Sequence, residues 1–171
     1  MRIKTLIIVL LLSGCASKPF IVDAPTGTEH KKEGAIIYPS YVMTPKNALG
    51  AGEQEAFIDP SIKAWNKAMG FELIKKSGSG YPITAVYVET LPAKNESADA
   101  IAYRRIDRCD VYVKHKFWSN GLDINLIIHE IGHCIGFEHS TYQPSIMWPE
   151  VDYTKLITTE LRRMILESIK P

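Results

Sequence analysis

The chain has 171 residues, with 20 lysines and arginines against 19 aspartates and glutamates, so its formal net charge is +1 at neutral pH. That near balance, with no basic block and no aromatic–basic interleaving, argues against nucleic-acid binding. Without internal repeats or low-complexity tracts, the length suits one domain with a hydrophobic core.

Arg2 and Lys4 precede an apolar run from Leu6 to Leu12, and Ser13 and Gly14 lead into Cys15. A charged start, a short apolar stretch and small residues read as an export signal. The run is too short to span a bilayer as a helix. Leu12-Ser13-Gly14-Cys15 resembles a bacterial lipobox. The resemblance implies a signal peptide over residues 1–14 and acylation, with palmitate or a similar chain, of Cys15 as the mature N-terminus. Ala16, where an aspartate would retain the product, implies the outer membrane of a Gram-negative cell. The alternative is a secreted protein with a stray cysteine. Residues 15–34, polar and containing Pro19, Pro25 and Gly27, read as a tether between membrane and domain. This leaves 35–171 as the single domain.

Further along, Asp59-Pro60 reads as an N-cap and first helical residue, and Gly70 as the stop. Ile62, Trp65 and Met69 form one stripe between them. Phe71 to Lys75 reads as a short strand, ended by Ser77-Gly78-Ser79-Gly80. Ile83 to Thr90, Ala100 to Ile106 and Cys109 to Lys114 follow as strands. The spacing of Ile124, Ile127, Ile128, Ile131 and Ile135 predicts a helix from about Asp123 to Gly136. Thr158 to Lys170 closes the chain as an amphipathic helix, with Leu161, Met164, Ile165 and Ile169 inward. The class is α+β.

The most specific feature is His129-Glu130-x-x-His133-x-x-Gly136-x-x-His139. His129 and His133, four residues apart, stack on one helix face. Gly136 can take the left-handed conformation that ends a helix, which lets the reversed chain supply His139 as a third ligand. Three nitrogens leave a fourth tetrahedral position open, the pattern of one catalytic Zn²⁺. Glu130 lies roughly 100° round the helix from His129 and can serve as general base without being a ligand. The five fixed positions should coincide by chance on the order of once in a hundred thousand chains of this length. Cys109 and Cys134 are left over. In an exported protein they read as a disulfide worth roughly 3 kcal/mol, with two separate buried thiols as the alternative.

The motif followed by Ser145-Ile146-Met147 resembles the metzincin clan of zinc metallopeptidases, in which a methionine turn lies beneath the zinc; Met147 takes that place. Ser140 after the third histidine, and Met147-Trp148-Pro149, are similar to matrixins. The likeness runs from about Glu53 to Ile169, and is specific from His129 to Pro149. It implies a zincin-like fold: a small mixed sheet packed on two helices, with a C-terminal helix. It also implies a zinc metalloendopeptidase acting on protein or peptide, with Pro149 and Val151 beside the substrate pocket. Val151 stands where matrixins usually carry a tyrosine; Tyr153 reads first as a surface tyrosine in a loop, with substitution for that residue as the alternative. Ala100 to Arg104 is the candidate strand edge for an extended peptide. Two other readings stand beside this one. The first is a non-catalytic zinc-binding surface lipoprotein, an adhesin or assembly factor. The second is a zinc hydrolase of a non-peptide bond. Cys15→Ser is expected to abolish fatty-acid incorporation and membrane partitioning; metabolic labelling checks it, and label kept by the variant rules the anchor out.

Overall fold

The computed structural model describes residues 21–46, 58–91, 97–114, 123–152 and 154–171. Cys15 and Tyr153 lie outside them. In chain order the elements are β1 (Ile21–Val22), β2 (Tyr41–Lys46), α1 (Asp59–Met69), β3 (Ile74–Lys75), β4 (Tyr81–Val88) and β5 (Ala100–Arg104). There follow β6 (Cys109–Lys114), α2 (Asp123–Ile135), β7 (Ile157–Thr158) and α3 (Thr159–Ser168). The fold is α+β, as the sequence implies.

The main sheet has the order β3-β2-β4-β6-β5. Its strands are parallel except β5, which pairs antiparallel with β6, Ala102 opposite Val111. Among the described residues β5 is therefore an edge. Strand β4 carries a continuous buried run from Ile83 to Tyr87, whereas β2 alternates buried Tyr41 and Met43 with the more exposed Val42 and Thr44. Tyr41, Met43, Ile83, Val111 and Val113 are buried from the sheet, and Trp65, Ile127 and Ile131 from the helices. Helix α2 lies over β5 and β6, and α1 packs on α2. Their contact carries two polar links: Trp65 Nε1 donates to the Ile128 carbonyl (3.0 Å) and Ser61 Oγ to the Ile124 carbonyl (3.3 Å). Cys109 on β6 is bonded to Cys134 on α2, a separation of 25 residues. Closing a loop of that size contributes about 3 kcal/mol on the chain-entropy estimate.

Helix α1 ends as expected, with Gly70 at φ 80° and its N–H on the Asn66 carbonyl. Its start differs. Asp59 is inside the first turn rather than at the cap, and its carboxylate meets Lys76. A negative charge there is still favourable to the helix dipole. Strand β2 has no counterpart in the sequence reading. Its Pro45 pairs with Ala85 of β4 and lies past the two residues, Tyr41 and Val42, that β3 covers.

The stretch read as a tether belongs to the domain from Ile21 onward. β1 pairs with β7, Ile21 opposite Ile157. The amides of Gly27, Thr28 and Glu29 point at the Glu160 carboxylate at the start of α3, at 2.6, 3.2 and 3.4 Å. Glu29 is only 4% exposed and accepts from Thr158 Oγ1 at 2.8 Å. The segment docks mainly through main-chain groups, so hydropathy gives no sign of it.

Burial raises the Glu160 pKa, but the amides of Gly27, Thr28 and Glu29 outweigh it and leave the carboxyl below its ordinary value. A depressed native pKa stabilises above the unfolded glutamate value, and the contribution is lost as pH falls through the native one. Acidification below the ordinary glutamate range, or Glu160→Gln at neutral pH, is therefore expected to loosen residues 24–32. Amide exchange at Gly27, Thr28 and Glu29 reads this; unchanged protection in both cases would refute the clasp.

Candidate metal centre

Helix α2 ends in a paired reversal. The Phe137 N–H reaches the Gly132 carbonyl at 3.0 Å and the Gly136 N–H reaches the His133 carbonyl at 3.1 Å, with Gly136 at φ 121°. This is a Schellman termination, which needs a residue free of a Cβ penalty at positive φ. The last carbonyls are satisfied from the body of the fold. Tyr41 Oη donates to Ile135 at 3.3 Å, and Arg104 Nε to Cys134 at 2.9 Å. The chain beyond Gly136 is then held from its other side by the docked N-terminal segment. Lys32 N donates to the Gly136 carbonyl (2.8 Å), Glu138 N to the His30 carbonyl (2.8 Å) and Thr141 N to the Thr28 carbonyl (2.9 Å). His139 lies within that held stretch.

The result is convergence. His129, His133 and His139 each offer a ring nitrogen, all within 4.8 Å of one another. The Nε2 atoms of His129 and His133 are 3.1 Å apart. Their opposite nitrogens are engaged: His129 Nδ1 with the Ile146 carbonyl at 2.6 Å, and His133 Nδ1 with the Phe137 carbonyl at 2.8 Å. A carbonyl accepts only from a protonated Nδ1, so these bonds fix the tautomer that presents a bare Nε2. Burial is the chief cause that lowers all three histidine pKa values, His129 to about 3, with neighbouring imidazoles adding to it at His129 and His133. The rings are thus neutral at pH 7, the state a metal requires.

Glu130 is 5% exposed, and desolvation pushes its carboxyl up to about 8, against a lowering contribution from the Ala102 N–H. Its Oε2 has no hydrogen-bond partner. A buried carboxyl with an orphaned oxygen costs stability, and a nearby cation would favour its ionised form. The bare Nε2 atoms of His129 and His133, a ring nitrogen of His139 and this orphaned oxygen are the set that a hydrolytic zinc site uses, so the residues fit the ion.

Beneath the histidines, Ser145-Ile146-Met147 forms a tight turn. Trp148 N donates to the Ser145 carbonyl (3.0 Å) and Met147 N to Ser145 Oγ (3.0 Å). Met147 is fully buried, and its Sδ lies 2.2 Å from where a Cβ on Gly132 would stand. The turn presents two groups to α2, the Ile146 carbonyl and the Met147 thioether. Pro149 and Val151 line a cleft of about 870 Å³ that also contains the three histidines, Glu130 and Leu126. Sequence reasoning did not find Gly132, the carbonyls of Ile146 and Phe137, or Lys32 on the cleft wall; no local pattern marks them.

A family model described as Matrixin matches residues 89–170. Over those residues, which include the three histidines, Glu130 and Met147, the chain is similar to matrixins. Among solved structures, the crystal structure of metalloproteinase-II from Bacteroides fragilis is similar in fold, with a TM-score of 0.50 at 14% sequence identity. The match covers 90% of this chain and 59% of that one, so the chain spans about three-fifths of its length. No curated protein matches. The family match begins just after β4 and leaves out β2, α1 and β4, of which β2 and β4 share a sheet with β6.

Gly132→Ala tests the packing under the site. In an ordinary helix interior the change stabilises by up to about 1 kcal/mol. Here the Cβ meets Met147 Sδ, and overpacking is expected to reverse the sign, destabilising by about 1–3 kcal/mol. Urea unfolding decides it; a stabilised variant would show that Met147 yields easily.

Proposed function

We propose that this protein is a membrane-anchored zinc endopeptidase, with His129, His133 and His139 as ligands and Glu130 as general base. The observation that carries the reading is the orphaned Oε2 of Glu130, buried in the cleft where ring nitrogens of the three histidines converge beside the sheet edge. When bound, zinc supplies Lewis acidity and lowers the pKa of a coordinated water toward neutrality. Glu130 takes one proton from the attacking water as the new carbon–oxygen bond forms. It passes that proton to the amide nitrogen as the carbon–nitrogen bond breaks. Proton and bond counts balance without a covalent acyl-enzyme.

The edge of β5 favours a peptide over another hydrolysable bond, because an extended main chain can pair along Ala100 to Arg104. Leu126, Pro149 and Val151 supply apolar lining for a side chain beside the cleaved bond. A non-catalytic zinc lipoprotein has no use for a buried, half-unpaired carboxyl at that place. Attachment rests on Leu12-Ser13-Gly14-Cys15, with acyl chains on Cys15 and Ala16 directing the product to the outer membrane. No described helix is long and apolar enough to cross a bilayer.

Glu130→Gln keeps the shape of the side chain and removes its basicity. It is expected to leave zinc near one equivalent per chain and to lower peptidase turnover by about 10²-fold or more. Zinc content and cleavage of a denatured protein, measured on one preparation with a chelator control, decide it. Full zinc with undiminished turnover would sink the general-base role.

A further inference from the structure

Two large hydrophobic side chains stand out of the described surface, Ile36 at 61% and Ile106 at 92% exposure. Single exposed isoleucines need no explanation. These two line one groove of about 220 Å³, and that groove shares Lys32 and Arg104 with the 870 Å³ cleft of the metal centre. The two hollows are therefore neighbours, with Lys32 and Arg104 between them at the C-terminal end of β5.

Both isoleucines are also held in place through their backbones. Arg104, on the strand leading to Ile106, donates to the Ile36 carbonyl, and Tyr38, two residues past Ile36, donates from Oη to the Ile106 carbonyl at 3.2 Å. The turn carrying Ile106 is closed by Arg105 N on the Arg108 carbonyl at 2.8 Å, with Tyr81 Oη against the carbonyls of both residues. Tyr38 and Tyr81 stack at 4.5 Å beneath it. An apolar tip fixed by so many polar contacts is presented to solvent rather than left loose.

From this geometry we propose that Ile36 and Ile106 form a distal substrate subsite, which takes an aliphatic side chain of the same peptide that lies in the cleft. The inference rests on the peptidase reading above. Ala102 marks the position of Glu130 along β5, and Ile106 is four residues on, in the turn past the strand's end, so at most about 13 Å away. A peptide paired along the β5 edge at the same rise brings a residue three to five positions from the cleaved bond over the two isoleucines. Lys32, Arg104 and Arg105 outnumber Glu33 around the groove, so a lysine or arginine at that place is disfavoured.

The test uses quenched-fluorescent peptides built on one cleaved core found by library profiling. Each is extended on one side or the other, with Leu, Ala or Lys at positions three to five. The native protein is expected to cleave the Leu peptides of one side about five- to tenfold faster in kcat/KM than the Ala peptides. That is the low end for an apolar contact, as suits an open groove. Lys peptides should be slowest. The Ile36→Ser, Ile106→Ser double variant, altered only at exposed positions, should cleave the unextended core as the native protein does and lose the Leu-over-Ala preference. Peptide affinity on Glu130→Gln protein, read by fluorescence anisotropy, should show the same preference without turnover. A double variant that keeps the native Leu-to-Ala ratio overturns the subsite and leaves the peptidase reading intact. A native, zinc-loaded protein that cleaves no peptide overturns the peptidase reading and the subsite with it.

Discussion

The closeness of α2 to the turn beneath it rests on one missing side chain. At Gly132 the helix offers no Cβ, and the Met147 thioether fills that space, with Trp65 closing the other side at 3.4 Å from the same point. Any larger residue would lift the helix away from the turn, and with it His129 from the Ile146 carbonyl that sets its tautomer. The turn is in turn tied to the chain bearing the third histidine, because Ser140 N donates to the Met147 carbonyl at 2.8 Å. Helix α2 is further fixed to β6 by the Cys109–Cys134 bond, and its C-terminal carbonyls by Tyr41 and Arg104. Rigid supports on several sides are what a metal site needs, since ligands a fraction of an ångström out of place weaken both affinity and chemistry.

How much of this was legible in the sequence depends on whether the cause was local. The helix ends at Gly70 and Gly136, and the stripe of isoleucines on α2, follow from backbone preference and periodicity, so they could be read directly. The pairing of Cys109 with Cys134 followed from compartment and from the side of the helix on which Cys134 falls. Strand β2 escaped because Pro45 sits in it, and proline usually argues against a strand; the short reach of β3 removes the objection. The docking of residues 21–34 escaped for another reason. It is made chiefly by amides and carbonyls, which every residue has, so composition that resembles a linker says nothing against it. Gly132 lies in the middle of the motif, yet only the tertiary contact with Met147 reveals why a side chain is excluded there.

The environment of Glu130 sets two influences against each other. Burial favours the neutral acid, while a cation at the three histidine nitrogens would favour the carboxylate. Among the described residues, the donor that meets it is the Ala102 N–H, on the β5 edge. In the proposed reading, the base and an extended peptide would both be referenced to that strand.

The clasp of Gly27, Thr28 and Glu29 on Glu160, with Ile21 paired to Ile157, also shortens the leash. If Cys15 carries the acyl chains, only six residue steps separate the lipid from a fixed point on the domain. Six steps span at most about 20 Å, less than the width of a small domain. The cleft of the metal centre would then sweep a shallow layer next to the bilayer, and chains that never approach the membrane would be out of its reach whatever their sequence.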